Sequence, residues 1–164
     1  YLWSRGHRRF GIVTMSRSDI CQAQRTAGFL ETLRELGGAP EQVMIREYRS
    51  LNDSVSGVIS ALANMQERPT ALFSTNSLMS QKLIAGAAAV GIRVPEELSL
   101  LSFEENNELL YMPVPVSAIR QPTRELGETA VRMLINLIRG LAVPEHEVLN
   151  CSLVARSSVA KRNE

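Results

Sequence analysis

Short apolar runs recur along the chain, and each gives way to a stretch whose apolar residues return every three or four positions. The runs are Phe10–Thr14, Val43–Ile45, Ala71–Phe73, Leu98–Phe103, Val116–Ile119 and Val148–Val154. Their length and lack of alternation suit strands buried on both faces. The intervening stretches carry helical stripes: Ala23, Ala27, Leu30, Leu33 and Leu36; then Val55, Val58, Ile59, Leu62 and Met65; then residues 78–90; then Leu126, Ala130, Met133, Leu134 and Leu137. Start and stop signals fall between them. Asp19 with Gln22 resembles a capping box, Asn52-Asp53-Ser54 and Thr123 are cap candidates, and Gly37-Gly38, Gly91 and Gly140 end helices.

Strands alternating with helices of 10–15 residues imply βαβ units: an α/β fold, a mostly parallel sheet with helices on both faces. Such sheets bind ligands in the crevice beyond the carboxyl ends of their strands. The segments that matter are therefore the loops at 16–21, 49–53, 74–77 and 104–112. The third of these is Ser74-Thr75-Asn76-Ser77, four short hydrogen-bonding side chains in a row at a strand end.

Composition narrows the function classes. The 164 residues suffice for one domain with a core that needs no staple. A net charge of +1 lacks the basic excess of a chain that grips phosphates itself. Cys21 and Cys151 form no C-x-x-C and have no His at ligand spacing, so neither a zinc site nor a disulfide framework is expected, and a reducing, cytoplasmic compartment fits. No apolar run is long enough to span a membrane, and the first residues do not read as a signal peptide. The chain opens in mid-pattern without Met and reads as a piece of a longer one. No cofactor or metal is implied. Glu104, Glu105 and Glu108 invite a glycosidase reading, but adjacent carboxylates would not face each other across a scissile bond. No phosphate loop, nucleophile elbow or H-E-x-x-H is present, so nothing argues catalysis.

Six segments, taken in order, resemble the lactose-repressor (LacI) family of transcription regulators. Gly6-His7-Arg8-Arg9 before Phe10-Gly11-Ile12 is similar to its "GHR-x-I". Arg25-Thr26-Ala27-Gly28-Phe29 is similar to "R-x-x-G-[FW]", and Ser74 through Ser80 to "A-x-N-D-x-M-A". Gly91 through Ser99 resembles "G-I-x-V-P-x-D-[IL]-S", Ser102-Phe103-Glu104-Glu105 resembles "G-F-D-D", and Ile119 through Ala130 resembles "V-x-Q-P-x-x-x-[LM]-G-x-x-A". The resemblance implies a periplasmic-binding-protein-like (type I) sensor domain. Residues 1–116 would form its C-terminal subdomain, 117–140 would cross into an N-terminal subdomain, and 141–164 would return and end in a frayed tail. It further implies a small effector, a sugar or sugar derivative, held between two lobes. A homodimer would form through helix 78–90 and segment 106–115, and operator DNA would be bound by a helix-turn-helix head upstream. A solute-binding protein of a sugar transport system has the same fold and is the alternative. Cut off from its usual sheet, the helix carrying Leu126 to Leu137 is expected to be displaced, to pack on another copy, or to be poorly ordered. Half the cleft alone is expected to bind effector weakly.

Three residues are candidates for effector contact. Arg25, read as lying in the first helical turn, has a guanidinium suited to a carboxylate or vicinal hydroxyls; its plain reading is a surface Arg. Asn76 can donate and accept, and is equally a good N-cap. Glu104 stands for the first Asp of "G-F-D-D" and reaches one methylene further. Ser77 for Asp and Ser102 for Gly are further departures from the family pattern. His7, despite its arginine neighbours, reads as structural.

Overall fold

Six strands build one sheet in the computed structural model, which describes residues 1–16, 18–48 and 56–162. They are β1 (Phe10–Met15), β2 (Met44–Tyr48), β3 (Ala71–Ser74), β4 (Ser99–Phe103), β5 (Ser117–Arg120) and β6 (Ser152–Val154), in the spatial order β2-β1-β3-β4-β5-β6. All pairings are parallel except β5 with β6. The cap cluster at 52–54, Val55, the loop at 49–53, Arg17 and the last two residues lie outside the described residues.

Side-chain alternation within each strand separates two layers. Ile12, Phe73 and Leu101 share one register row and face one side, where α1 (Ile20–Glu35) lays Leu33 and Phe29 against them. Val13, Leu72 and Leu100 face the other side, beneath α2 (Ser56–Asn64), α3 (Ser77–Ala89) and α4 (Asn107–Leu110). Burial of aliphatic side chains such as Ile59, Leu62, Leu83 and Leu109 contributes roughly 1.5–3 kcal/mol each.

Four expectations are corrected here. The inner face of α1 is Gln22, Thr26, Phe29, Leu30 and Leu33, whereas Ala27 and Leu36 are exposed. Its N-terminal half lies over a strand end that needs hydrogen-bond partners, so polar residues point inward there. The cap of α5 (Thr123–Ile138) is Pro122, with no side-chain bond; Thr123 is already helical. The last strand covers only Ser152–Val154, because its partner β5 ends at Arg120, opposite Ser152, and leaves Val148 through Cys151 unpaired. The four-residue α4, capped by Asn106, arises inside a stretch that reads as polar loop, and it buries Leu109 completely.

The start of the chain is locked to its end. Residues 1–5 close a turn that stops at Gly6, whose left-handed φ of 86° leaves its amide on the Trp3 carbonyl. Arg162 N–H donates to the Arg5 carbonyl at 2.7 Å. His7, fully buried beside this junction, bridges Thr70 Oγ1 (2.9 Å) and the Ala160 carbonyl (3.2 Å), which is the structural role read from sequence. Burial, reinforced by Arg162, Arg5 and Arg8, outweighs the Ala160 bond and holds its imidazole below the ordinary histidine pKa.

By contrast, α5 adds no residue to either core layer and buries only Thr129. Leu126, Val131, Leu134, Ile135, Leu137 and Ile138 are all exposed, so an intact amphipathic helix presents a bare apolar stripe.

Candidate functional site

Because β1, β3 and β4 are parallel, their carboxyl ends open on one edge, and the side chains that follow them converge there. The Arg25 Nη1 donates to the Thr75 carbonyl at 2.7 Å and to Glu104 Oε1 at 3.3 Å. Its guanidinium lies 4.0 Å from the centroid of the Phe103 ring. Ser77 Oγ donates to the second carboxylate oxygen, Oε2, at 3.4 Å. Helix α1 begins at Ile20, so Arg25 sits in its second turn, not its first, where the unfavourable pull of the helix dipole on a cation has faded.

Glu104 has φ of 76°, the left-handed region, and is the non-glycine residue there among the described residues. Such a backbone costs about 1–2 kcal/mol and is held by its surroundings. The hydroxyl of Ser102, fully buried, is shared as donor between the Phe103 carbonyl at 3.1 Å and the Glu104 carbonyl at 3.2 Å, and Ser80 donates to Ser102 at 2.8 Å. The chain Ser80 to Ser102 to Glu104 fixes the turn from below.

Asn76 caps α3, its side-chain oxygen accepting from Met79 N–H at 2.8 Å. Among the described residues its amide NH2 has no partner, so capping leaves the donor half of the side chain for other use. Half-buried, Asn76 lies between the buried Thr75 and Ser77 of the crevice.

Thr14, Gln22 and Thr75 are not among the effector-contact candidates read from sequence. Thr75 Oγ1 reaches Thr14 Oγ1 at 3.0 Å and the Gln22 side-chain oxygen, and all three residues are buried. Gln22 is therefore not the reciprocal half of a capping box; only Asp19 plays its part, accepting from Gln22 N–H. Adjacency of β1 and β3 sets Thr14 and Thr75 side by side at the strand ends, and the signal in the sequence is only that each lies at the end of an apolar run. These residues form the polar floor beneath the Arg25–Glu104 pair. An apolar groove of about 600 Å³ runs away from that pair, between Phe103, Phe73 and Phe29, toward Trp3.

Among the described residues, no group of three His, Cys, Asp or Glu side chains is placed to hold a metal ion. Cys21 and Cys151 are free and exposed. No helix of the described residues is long and apolar enough to cross a membrane. The arrangement is suited to binding: a neutralised cation, an amide, two hydroxyls and a carboxylate around one opening.

The periplasmic binding protein-like domain model matches residues 1–159. The HTH-type transcriptional repressor PurR of Klebsiella pneumoniae is 30% identical over 161 residues, a match covering 98% of this chain and 47% of that protein. PurR of Aliivibrio salmonicida is 29% identical over 167 residues, covering 98% and 49%. The chain thus spans about half the length of these relatives. Among solved structures, a LacI family transcriptional regulator from Bifidobacterium animalis subsp. lactis superposes with a TM-score of 0.88 at 26% identity, covering 99% of this chain and 59% of that one. A dimeric Lac repressor with an 11-residue C-terminal deletion gives 0.87 at 25% identity, with the same coverage. The chain belongs to the periplasmic binding protein-like domain family, in the form carried by LacI-family transcriptional regulators.

Proposed function

We propose that this chain is the effector-sensing and dimerising part of a LacI-family regulator. In this reading a small, uncharged, hydroxyl-bearing effector, a sugar or sugar derivative, binds at the crevice formed by Arg25, Asn76 and Glu104. Binding biases the arrangement of two lobes, and through the dimer it alters operator binding by a helix-turn-helix head. The observation that carries the reading is the Arg25–Glu104 pair at the carboxyl edge of the sheet. Arg25 is already neutralised there, and it is further engaged by the Thr75 carbonyl and the Phe103 ring. A phosphate or carboxylate would have to displace Glu104, whereas hydroxyls can be shared among Glu104, Ser77 and the free amide of Asn76.

The exposed stripe of α5 supports a division in which residues 1–116 form one lobe, 117–140 cross into the other, and 141–164 return. The dimer would use the outer face of 78–90 with segment 106–115. Leu78, the small exposed Ala85, Ala88 and Ala89, Val90, Leu110 and Tyr111 offer an apolar surface there. Leu109, within that segment, belongs to the core instead. A sugar-transport binding protein is the weaker reading, since the matched relatives named above are transcriptional repressors.

The test is a thermal-shift panel on the full-length regulator, comparing neutral monosaccharides and nucleosides with sugar phosphates and sugar acids. A specific ligand raises stability in proportion to RT ln(1 + [L]/Kd). Stabilisation by a neutral member is expected. A response confined to the anionic members would overturn the assignment. The 164-residue chain alone, with half a cleft, is expected to respond weakly to the same ligand.

A further inference from the structure

Glu104 and Glu105 are sequence neighbours that serve opposite sides of one strand end. The left-handed backbone at Glu104 sends the first carboxylate to Arg25 and Ser77. The second accepts from Arg156 Nη2 and from Arg120 Nε, the latter at 3.1 Å. Arg120 beside it, together with Arg156, outweighs the cost of burial and holds the Glu105 carboxyl below the usual carboxylate range.

The two arginines are not equivalent. Arg156 has a side chain only 10% exposed, and it also donates to the Val116 carbonyl at 2.8 Å. Its backbone is tied to the Ser117 hydroxyl at 2.9 Å. Arg120 is 53% exposed and, among the described residues, has Glu105 as its side-chain hydrogen-bond partner. It is also the last residue of β5, two positions before Pro122 caps α5. Since α5 packs on neither core layer, its attachment is set largely by this connection.

We infer that the Glu105–Arg120 bond is a releasable latch through which the Glu104 crevice is coupled to the β5–α5 connection. Glu104 and Glu105 share a peptide plane. Once the Glu104 carboxylate leaves Arg25, the strained left-handed backbone is held on that side by the 3.2 Å bond from Ser102, and its relaxation against that bond tilts the plane that aims Glu105. Arg156, held at several points, keeps its grip on Glu105. The exposed Arg120 bond, for which water competes, is the one that yields. The regulatory meaning rests on the crevice being the effector site, as proposed above; the mechanical coupling does not.

Amide hydrogen exchange on the 164-residue chain tests it without any ligand. Arg120→Gln is expected to speed exchange at Thr123 and Leu126, whose amides donate to the Gln121 and Pro122 carbonyls, by about fivefold or more, with β1 and β3 unchanged. Arg25→Gln, which frees Glu104, is expected to speed the same amides in the parent chain but by less than about twofold in the Arg120→Gln background. Ser77→Ala is the milder crevice variant and should show the same dependence at smaller amplitude. Equal effects of Arg25→Gln in both backgrounds, or no effect of it or of Ser77→Ala at these amides, would overturn the latch. A silent effector panel with dependent amides would count against the effector reading alone.

Discussion

Ser80 on α3 donates its hydroxyl to Ser102 on β4 at 2.8 Å, in a region closed to solvent. These two serines stand where the resembled motifs have Ala and Gly, so two departures from the family pattern meet in one hydrogen bond. The same holds nearby: Ser77 and Glu104, each in place of Asp, lie 3.4 Å apart as donor and acceptor. The crevice differs from the family pattern through paired changes whose polar groups satisfy each other.

Removing the inner pair tests that interdependence. Ser102→Ala deletes the donor to the Glu104 carbonyl, while Ser80 retains the Asn76 carbonyl at 3.1 Å. A loss of about 1 kcal/mol is expected, typical of one net hydrogen bond. Ser80→Ala combined with Ser102→Ala should cost less than the sum of the singles, because they share one bond. Urea unfolding of the four proteins measures this, and strict additivity would contradict it.

Glu104→Gly separates backbone strain from side-chain chemistry. Glycine adopts φ of 76° freely and recovers about 1 kcal/mol of strain. The lost contact with Arg25 is partly solvent-exposed and is worth no more than about 1 kcal/mol. Stability should therefore change by less than about 1 kcal/mol, whereas affinity for the neutral effector found by the panel should fall at least about tenfold. Unchanged affinity would remove Glu104 from the site.

His7 makes stability depend on pH. Its folded pKa lies below 6.5, so between the folded and unfolded values the unfolded chain binds more protons. The contribution is complete above pH 6.5 and is lost as pH falls below it, levelling off once the folded pKa is passed. Urea midpoints should drop between about pH 7.5 and 5.5, and His7→Gln, which retains a donor for the Ala160 carbonyl, should flatten that drop. An equal drop in both proteins would assign it elsewhere.

The strands and their order of use were legible because β1, β3 and β4 are continuous apolar runs, and the parallel arrangement follows from their alternation with helices. Arg25 and Glu104, chosen from a helix and a loop far apart in sequence, do touch. What could not be read had a local physical cause. The inner face of α1 begins with Gln22 and Thr26, which an apolar stripe cannot reveal, since they are buried to satisfy Thr75 and the helix backbone. Helix α4 is one turn long, too short for any periodicity, and only the Asn106 cap and buried Leu109 define it. Glu104 in the left-handed region is invisible in a sequence that has no glycine at that position.

The outer face of α3 carries the dimer prediction. Ala88 is exposed amid small residues on α3; Leu78, Val90 and the 81% exposed Tyr111 belong to the same proposed contact surface. Ala88→Arg should leave monomer stability within about 0.5 kcal/mol, as surface changes do. Sedimentation of the full-length regulator should shift from dimer to monomer. A dimer that persists with unchanged affinity would place the interface elsewhere.

The bare stripe of α5 distinguishes this chain from the regulator proposed to contain it. Leu134 and Leu137 are 57% and 58% exposed here. Converting both to Lys should change the unfolding free energy of the 164-residue chain by no more than about 0.5 kcal/mol, since neither is packed. It should also reduce self-association measured by light scattering, because an exposed apolar patch favours it. In the full-length regulator, where the stripe would be covered by the other lobe, the same change buries two charges and should cost several kcal/mol. If both proteins tolerate the change equally, α5 is not a core element of a second lobe, and the division at residue 117 fails with it.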